Sequence, residues 1–385
     1  MLVDLADDLA ATGWEVRVIA SQALYADDGG ALPPRETRNG VAIHRVRATR
    51  LARFSLVGRA LDYLTFILGA FFAALRGPRP DLVVAMTDPP VMVQVAALVA
   101  ILRGARLVFW VQDLYPELAA ALGVFRRDSL PYRLLAAGER WARRRADAVL
   151  VQGPRMARAV VAGGADAEKV RVCANWADVH ALTPPLPEAN LFAPAHDLAG
   201  RFVVLYSGNA GRAHTFEAIL SAAELLKGDD QVRFLFIGGG PQMGYIRAEV
   251  ERRQLTNTRL LPYEPREMLA HSLASANVSL VTEKPEAAGL LLASKTFGIL
   301  ASARPLLFIG DADSDVADVV REAGAGLVLA PDDPAALVAA IRRLQGDPAH
   351  AAQLGASGRK AALARHDRRV ATARWAQLVR ELTHV

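Results

Sequence analysis

The sequence predicts an α/β protein made of two doubly wound domains in tandem. Three observations carry this prediction. Short apolar runs alternate with helical patterns along the whole chain, most of the runs are continuous in Val, Ile and Leu, and one proline-rich stretch interrupts the alternation near the middle. Continuous apolar runs suit parallel strands covered on both faces, and strand-helix alternation builds parallel α/β layers. The 385 residues, 52% hydrophobic and 22% charged, suffice for two cores and exclude a disordered chain.

In the first half, strands are expected over Glu15–Ser21, Val41–Ala48, Asp81–Thr87, Arg106–Asp113, Ala148–Gly153 and Val170–Asn175. Helices are expected over Leu2–Thr12, Pro131–Arg145 and Pro154–Ala162. Residues 183–199 hold four prolines without periodicity and read as an interdomain linker. The second half gives strands over Phe202–Ser207, Val232–Ile237, Thr258–Pro262, Val278–Thr282, Pro305–Ile309 and Gly326–Leu329. Its helices fall over Thr215–Lys227, Pro241–Gln254, Pro265–Ala276, Lys295–Ala303, Pro334–Gln345 and Pro348–Arg365. The expected organisation is a first domain over 1–182, the linker, a second domain over 200–365 and a terminal helical segment over 366–385. Two such domains place a ligand at the carboxyl ends of their strands, in a shared cleft. The chain opens on a helix where a doubly wound domain opens on a strand and a glycine turn, so a first strand is expected to be missing from the sequence as it stands.

The lone cysteine, Cys173, excludes an internal disulfide framework and any Cys-rich metal site. The net charge of +5 lies wholly within residues 1–180. Between Glu36 and Asp62 there is no acid but six arginines, Arg38, Arg45, Arg47, Arg50, Arg53 and Arg59. Two readings stand: a solvated basic face, or attraction to an anionic membrane or a phosphorylated acceptor. No reader motif or stacking-aromatic pattern points to nucleic acid. The N-terminus lacks the basic segment of a signal peptide. No stretch reaches the roughly 20 apolar residues that span a bilayer.

The strongest local feature is the strand-turn-helix Phe202-Val-Val-Leu-Tyr-Ser-Gly-Asn-Ala-Gly-Arg-Ala-His-Thr. Its glycines let backbone N–H groups approach an anion, and Arg212 and His214 at the rim are placed to neutralise a diphosphate. An ordinary capped turn is the competing reading. In Phe236-Ile-Gly-Gly-Gly-Pro241 the spacing fails as a dinucleotide fingerprint, but the turn, with Gly239, can line a nucleotide cleft. Ser294 reads as an N-cap with Lys295 in the first helical turn, where a cation opposes the helix dipole unless an anion faces both. Glu283 and Glu286 precede them, within reach of donor hydroxyls. In Val108-Phe-Trp-Val-Gln-Asp-Leu-Tyr-Pro-Glu117, Asp113 reads equally as a group that orients an acceptor hydroxyl or serves as base and as a cap of the next helix, and the two readings are compatible. Asp311-Ala-Asp313-Ser-Asp315 reads as a helix start rather than a metal site, and no histidine pair has metal spacing.

Four segments, Leu2–Ser21, Trp110–Glu117, Tyr206–Glu217 and Ser294–Pro305, together resemble the retaining GT-B glycosyltransferases of family 4, nearest the WbuB-like branch of O-antigen and capsule assembly. Thr87-Asp-Pro-Pro90 and Leu261-Pro-Tyr-Glu-Pro-Arg-Glu267, with Tyr263, add to the resemblance. It implies two Rossmann-like domains, an acceptor domain followed by a donor domain, with the last helix, Arg369–Leu382, crossing back to the first. The implied reaction moves a sugar from a UDP- or GDP-sugar, with retention and without a metal or other cofactor. The implied acceptor is a polyprenyl-diphosphate-linked or other saccharide at the inner face of the plasma membrane, and the implied location is cytoplasmic and peripheral. Arg45, Arg47, Arg50, Arg53, Arg59 and Phe66 then form the membrane-facing patch. Donor-binding candidates are Gly208, Asn209, Gly211, Arg212, His214, Gly239, Tyr263, Glu286, Ser294 and Lys295, with Asp113, Arg212 and Lys295 in catalytic roles.

The sequence departs from the family pattern at the diphosphate. Asn209 stands at the usual arginine and His214 at the usual lysine, so backbone N–H groups of Gly208–Gly211 are expected to hold the diphosphate, with charge from Arg212, His214 and Lys295. The second of two glutamates common in relatives falls at Gly298. A nucleotide-sugar epimerase and an inactive nucleotide-binding protein are the competing functions.

Overall fold

A computed structural model describes residues 1–22, 32–51 and 56–383, without the side chains of residues 56 and 59. The chain divides into one unit of Met1–Ala120, Phe125–Cys173 and Thr372–Val385, and another of Ala121–Val124 and Ala174–Ala371.

The first unit runs α1 (Leu2–Ala11), β1 (Arg17–Ser21), β2 (Arg35–Arg38), β3 (Val41–Val46), α2 (Leu56–Arg76), β4 (Leu82–Met86), α3 (Met92–Arg103), β5 (Arg106–Trp110), α4 (Glu117–Ala121), α5 (Leu130–Arg145), β6 (Ala148–Val151), α6 (Pro154–Ala162) and β7 (Val170–Val172). Its strands form two sheets, β1-β3-β2 and β4-β5-β6-β7. Helix α2 packs on β1, β3 and α3, and α3 packs on β4, so helices bridge the sheets. Among the described residues β1 pairs only with β3, and β4 only with β5, leaving one open edge on each. Strand β5 is the heart of its sheet, with Val108, Phe109 and Trp110 wholly buried. This is why its sequence is an unbroken apolar run.

Strand β2 was not expected. Its residues, Arg35-Glu36-Thr37-Arg38, are polar, but it pairs antiparallel with β3. Asn39 and Gly40 between them have φ of 50° and 80°. Those angles are those of the tight hairpin turn that an Asn-Gly pair favours.

The second unit contains α7 (Phe192–Ala195), β8 (Phe202–Ser207), α8 (Glu217–Leu225), β9 (Val232–Ile237), α9 (Met243–Arg252), β10 (Thr258–Leu261), α10 (Leu269–Ala274), β11 (Val278–Thr282), α11 (Lys295–Ala301), β12 (Leu306–Ile309), α12 (Asp315–Ala323), β13 (Gly326–Leu329), α13 (Pro334–Gly346) and α14 (Pro348–Ala361). Its six strands are all parallel, in the order β10-β9-β8-β11-β12-β13. The order reverses between β8 and β11, and the crevice beyond their carboxyl ends is where such sheets bind ligands. Alternation sorts the core. Val204, Tyr206, Phe234 and Phe236 pack on one face with Phe216, Ile219 and Ile341. Val203, Leu205, Leu235 and Ile237 pack on the other with Phe192 and Leu273.

The acid run 311–315 is a helix start, as expected: the Ser314 hydroxyl accepts the Ala317 N–H at the head of α12. Asp333 and Asp347 do the same for α13 and α14, each followed by proline at the first helical position.

The proline-rich stretch 183–199 is not a free spacer. Phe192 is fully buried and Leu198 nearly so, and the Asn190 carboxamide accepts the Phe192 N–H, so the segment is part of the second unit's core. Apolar anchors outweigh the prolines here. The last helix, α15 (Arg368–Thr383), straddles the division between units, and its Trp375 stacks edge-on against Trp110 of the first unit at 4.8 Å.

Candidate active site

The turn after β8 lies at the point where strand order reverses. It meets the glycine turn after β9 backbone to backbone. A Cβ on Gly238 would lie 2.3 Å from the Gly208 carbonyl oxygen, and one on Gly240 would lie 2.3 Å from the Asn209 side chain and 2.8 Å from the Ala210 amide. Gly208, Gly238 and Gly240 also have φ of 127°, 135° and 117°. The triple glycine therefore serves close packing of two turns.

That packing consumes donors. The Gly208 N–H donates to Ile237 O at 2.8 Å and the Ala210 N–H to Gly239 O at 2.7 Å. The expectation that all amides of Gly208–Gly211 face a ligand is therefore corrected. Among the described residues, the amides of Asn209, Gly211, Arg212 and Ala213 have no protein acceptor. Gln242, which sequence reasoning passed over, ties this loop down. Its side-chain amide donates to Gly211 O at 2.6 Å and His214 O at 2.8 Å, while its backbone N–H donates to Ala210 O.

Lys295 reaches this turn from α11. Its Nζ donates to the Tyr206 hydroxyl and, at 3.4 Å, to Asn209 O. It sits 3.8 Å from the centre of the Tyr206 ring. Its stem lies over Gly208, since Cε would touch a Cβ there at 3.4 Å. Desolvation pushes this ammonium down to about 7. Among the described residues the lysine is paired only with neutral groups, so an incoming anion meets no competing carboxylate there.

His214 does not supply charge. It is buried, its Nδ1–H donates to Thr282 O, and burial with the nearby Lys295 pushes it down to about 4. At neutral pH it is an uncharged hydrogen-bonding group. Arg212 is exposed at the rim, and Asn209 is exposed beside it. Ser294 stands before α11 but its side chain makes no capping bond, because its backbone is already helical. Tyr263 is 56% exposed and its ring edge would lie 2.9 Å from a Cβ on Gly239. Glu286 is exposed and lines a cavity of about 360 Å³ with Thr215, Lys284 and Pro331 among others. Glu283 turns inward, with both carboxylate oxygens buried and unpartnered, so it is out of reach of donor hydroxyls.

In the first unit, two motifs that looked separate in sequence join at the carboxyl ends of β4 and β5. The Thr87 hydroxyl accepts the N–H groups of Gln112 at 3.2 Å and Asp113 at 3.3 Å. Gln152, after β6, donates to Gln112 O. Asp113 is solvent-accessible and no described hydrogen bond joins its carboxylate to α4, so the capping reading fails. Although the residue is open to solvent at its edge, desolvation by the protein packed around it and then the Asp88 carboxylate push it up to about 6, and burial raises Asp88 as well. Glu117 has a structural duty: with Glu139 it flanks the buried guanidinium of Arg143, which also donates to Tyr115 O.

Against known families, residues 1–176 match the glycosyl transferase 4-like domain and residues 193–361 match the glycosyl transferases group 1 domain. The chain is thus a glycosyltransferase built of these two domains. It is 29% identical to WbjE of Pseudomonas aeruginosa, named as a glycosyltransferase, over 69% of the chain and 66% of that protein, just under two thirds of its length. It is 26% identical to WcaI of Escherichia coli K12, named as a colanic acid biosynthesis glycosyl transferase, over 90% of the chain and 88% of that protein. Among solved structures, sucrose-phosphate synthase from Thermosynechococcus elongatus aligns with TM-score 0.79 at 21% identity, over 99% of this chain and 92% of that one. HepE from Anabaena, solved with UDP-glucose, aligns with TM-score 0.73 at 15% identity, over 99% and 94%. These likenesses establish the GT-B fold.

The basic stretch of this glycosyltransferase is partly engaged. Arg45 is held by Glu36 at 2.6 Å and by Pro33 O, so it is not a surface attractor. Arg47 and Arg50 are exposed. Arg53 and the Arg59 side chain lie outside the described residues. Phe66 is half-buried, turned away from the exposed face of α2. That face carries Val57, Leu61, Leu64, Leu68 and Phe72, one stripe at helical spacing, with Arg76 over the Phe72 ring at 5.4 Å. Among the described residues no helix is long and apolar enough to cross a membrane.

Proposed function

We propose that this glycosyltransferase moves a sugar from a nucleotide-diphosphate-sugar, a UDP- or GDP-sugar, to a lipid-linked or other saccharide acceptor in surface polysaccharide assembly. The transfer retains anomeric configuration and uses no bound metal. One observation carries the reading: at the reversal point of the second sheet, one turn holds four amides without a protein acceptor and meets an ammonium that, among the described residues, has no carboxylate partner. Such a site suits the two phosphates of a departing nucleotide, whose growing charge it stabilises as the sugar–oxygen bond breaks. Arg212 adds charge at the rim. Tyr263 and Gly239 offer a flat platform for the base, and Glu286 a contact for the sugar. Asp113 takes the proton of the acceptor hydroxyl as that oxygen bonds to the sugar. The naming of WcaI for colanic acid biosynthesis and the UDP-glucose bound to HepE support the substrate classes.

Thermal-shift screening over UDP-, GDP- and dTDP-sugars tests the donor. Stabilisation by one family is expected, and none by any would overturn the reading. Incubating the stabilising donor without acceptor separates transfer from epimerisation, since only an epimerase consumes it.

The chain acts as a peripheral protein of the inner membrane face through the α2 stripe flanked by Arg47, Arg50 and Arg76. Apolar burial and attraction to anionic headgroups add in such a helix. The double variant Leu64→Glu, Leu68→Glu is expected to lose at least about tenfold in flotation with anionic liposomes at low salt. Equal flotation of the variant and the parent would remove α2 from the contact.

A further inference from the structure

Tyr206 is unusual among the buried aromatics of the second unit because its polar end is spoken for twice. Its ring is 1% exposed and packs edge-on against Phe216 at 5.0 Å, with Phe236 at 6.0 Å and His214 at 6.2 Å. Its hydroxyl donates to Asn209 O at 2.9 Å and accepts from Lys295 Nζ. The same ammonium donates to Asn209 O and rests against the ring face. Three groups, from the end of β8, the turn after it and the start of α11, thus close a small hydrogen-bonded triangle at the turn that carries the free amides.

A lysine stem has four rotatable bonds, and an exposed ammonium samples many positions. Here the stem lies over Gly208, where no side chain intervenes, and the head is fixed by a rigid aromatic that cannot itself move within its packed cluster. We propose that Tyr206 is a positioning residue that holds Lys295 and the Asn209 peptide in the geometry that receives the two phosphates. This rests on the proposed donor site for the identity of the anion. Preorganisation of this kind raises affinity and rate because ordering cost is met before the ligand arrives.

The test uses the full chain, inorganic pyrophosphate as the probe, and four forms: parent, Tyr206→Phe, Lys295→Met, and the double variant. Phenylalanine keeps the ring and its packing. Tyr206→Phe is expected to weaken pyrophosphate binding by calorimetry about tenfold, and to add little in the Lys295→Met background, where its target is gone. The pH midpoint of Lys295 reactivity toward trinitrobenzenesulfonate, read by mass spectrometry without ligand, is expected to fall, since a bond to the charged form is lost. Parent-like affinity and midpoint in Tyr206→Phe would overturn the proposal. So would equal losses with and without Lys295, or weaker binding that merely follows a lowered melting temperature. If pyrophosphate behaves as described but no nucleotide-sugar binds, the donor reading fails while the role of Tyr206 stands.

Discussion

Lys295→Ala is expected to lower turnover with the nucleotide-sugar donor by about 10²–10³-fold, the usual loss when one preorganised charge-stabilising donor is removed. The fold should survive, since the lysine head meets only a hydroxyl, a carbonyl and a ring face. The pH dependence is the sharper signature. In the free protein Lys295 is held down to about 7 by desolvation, and a bound diphosphate raises it. Binding is thus strongest below about 7 and weakens as pH rises, by up to about tenfold per unit while the free lysine is neutral and the bound one charged. Asp113, pushed up to about 6, must be ionised to accept a proton, which gives the acidic limb. The parent should show a narrow bell in kcat/KM, and Lys295→Ala should keep only the acidic limb. Parent-like kinetics and an intact alkaline limb in the variant would remove Lys295 from the diphosphate site.

How much of this was legible beforehand varies with the physics of each part. Strands β8, β9, β11 and β13 match their expected bounds, because parallel strands covered on both faces are largely apolar and so announce themselves. Strand β2 is polar on both faces and was legible only through its Asn39-Gly40 turn. The turn after β8 was legible as a glycine-bearing strand-helix junction. Which of its amides remain free was not, since that depends on carbonyls of Ile237 and Gly239, some 30 residues away. The same holds for His214. Its type and place suggested a cation, but its charge is decided by burial against Thr282 and Lys295, which only the folded chain supplies. Gln242 left no sequence signal beyond lying next to a glycine turn. Asp113 shows the converse: two readings stood equal in sequence, and only the fold shows a carboxylate that makes no bond to α4 and stands beside Asp88.

The second large expectation concerns Glu283, whose side chain the sequence placed toward the ligand and the fold turns inward. It follows β11 directly, and its backbone N–H donates to Ile309 O, which fixes the residue between the ends of two buried strands. Both carboxylate oxygens are shut from solvent without a hydrogen-bond partner. Burial first, then Asp315 and Asp311, push it up to about 8. A carboxyl group raised this far is protonated in the folded chain and ionised in the unfolded chain between about pH 4.5 and about 8. The folded state then binds the extra proton, so stability falls as pH rises through that window and levels off above it. Glu283→Gln removes the titration while keeping the size of the side chain. It should match the parent near pH 5 and exceed it by on the order of 2–4 kcal/mol above about pH 8, a rise of several degrees in melting temperature. Urea unfolding at both pH values reads the difference directly. A pH-independent gap between the two proteins would mean that Glu283 finds a partner in solution and is ionised there. Because the residue precedes Lys284, whose N–H donates to Ala213 O in the loop proposed to receive the diphosphate, the same charge should loosen that loop at alkaline pH. The variant is therefore also expected to hold donor affinity closer to the limit set by Lys295 alone.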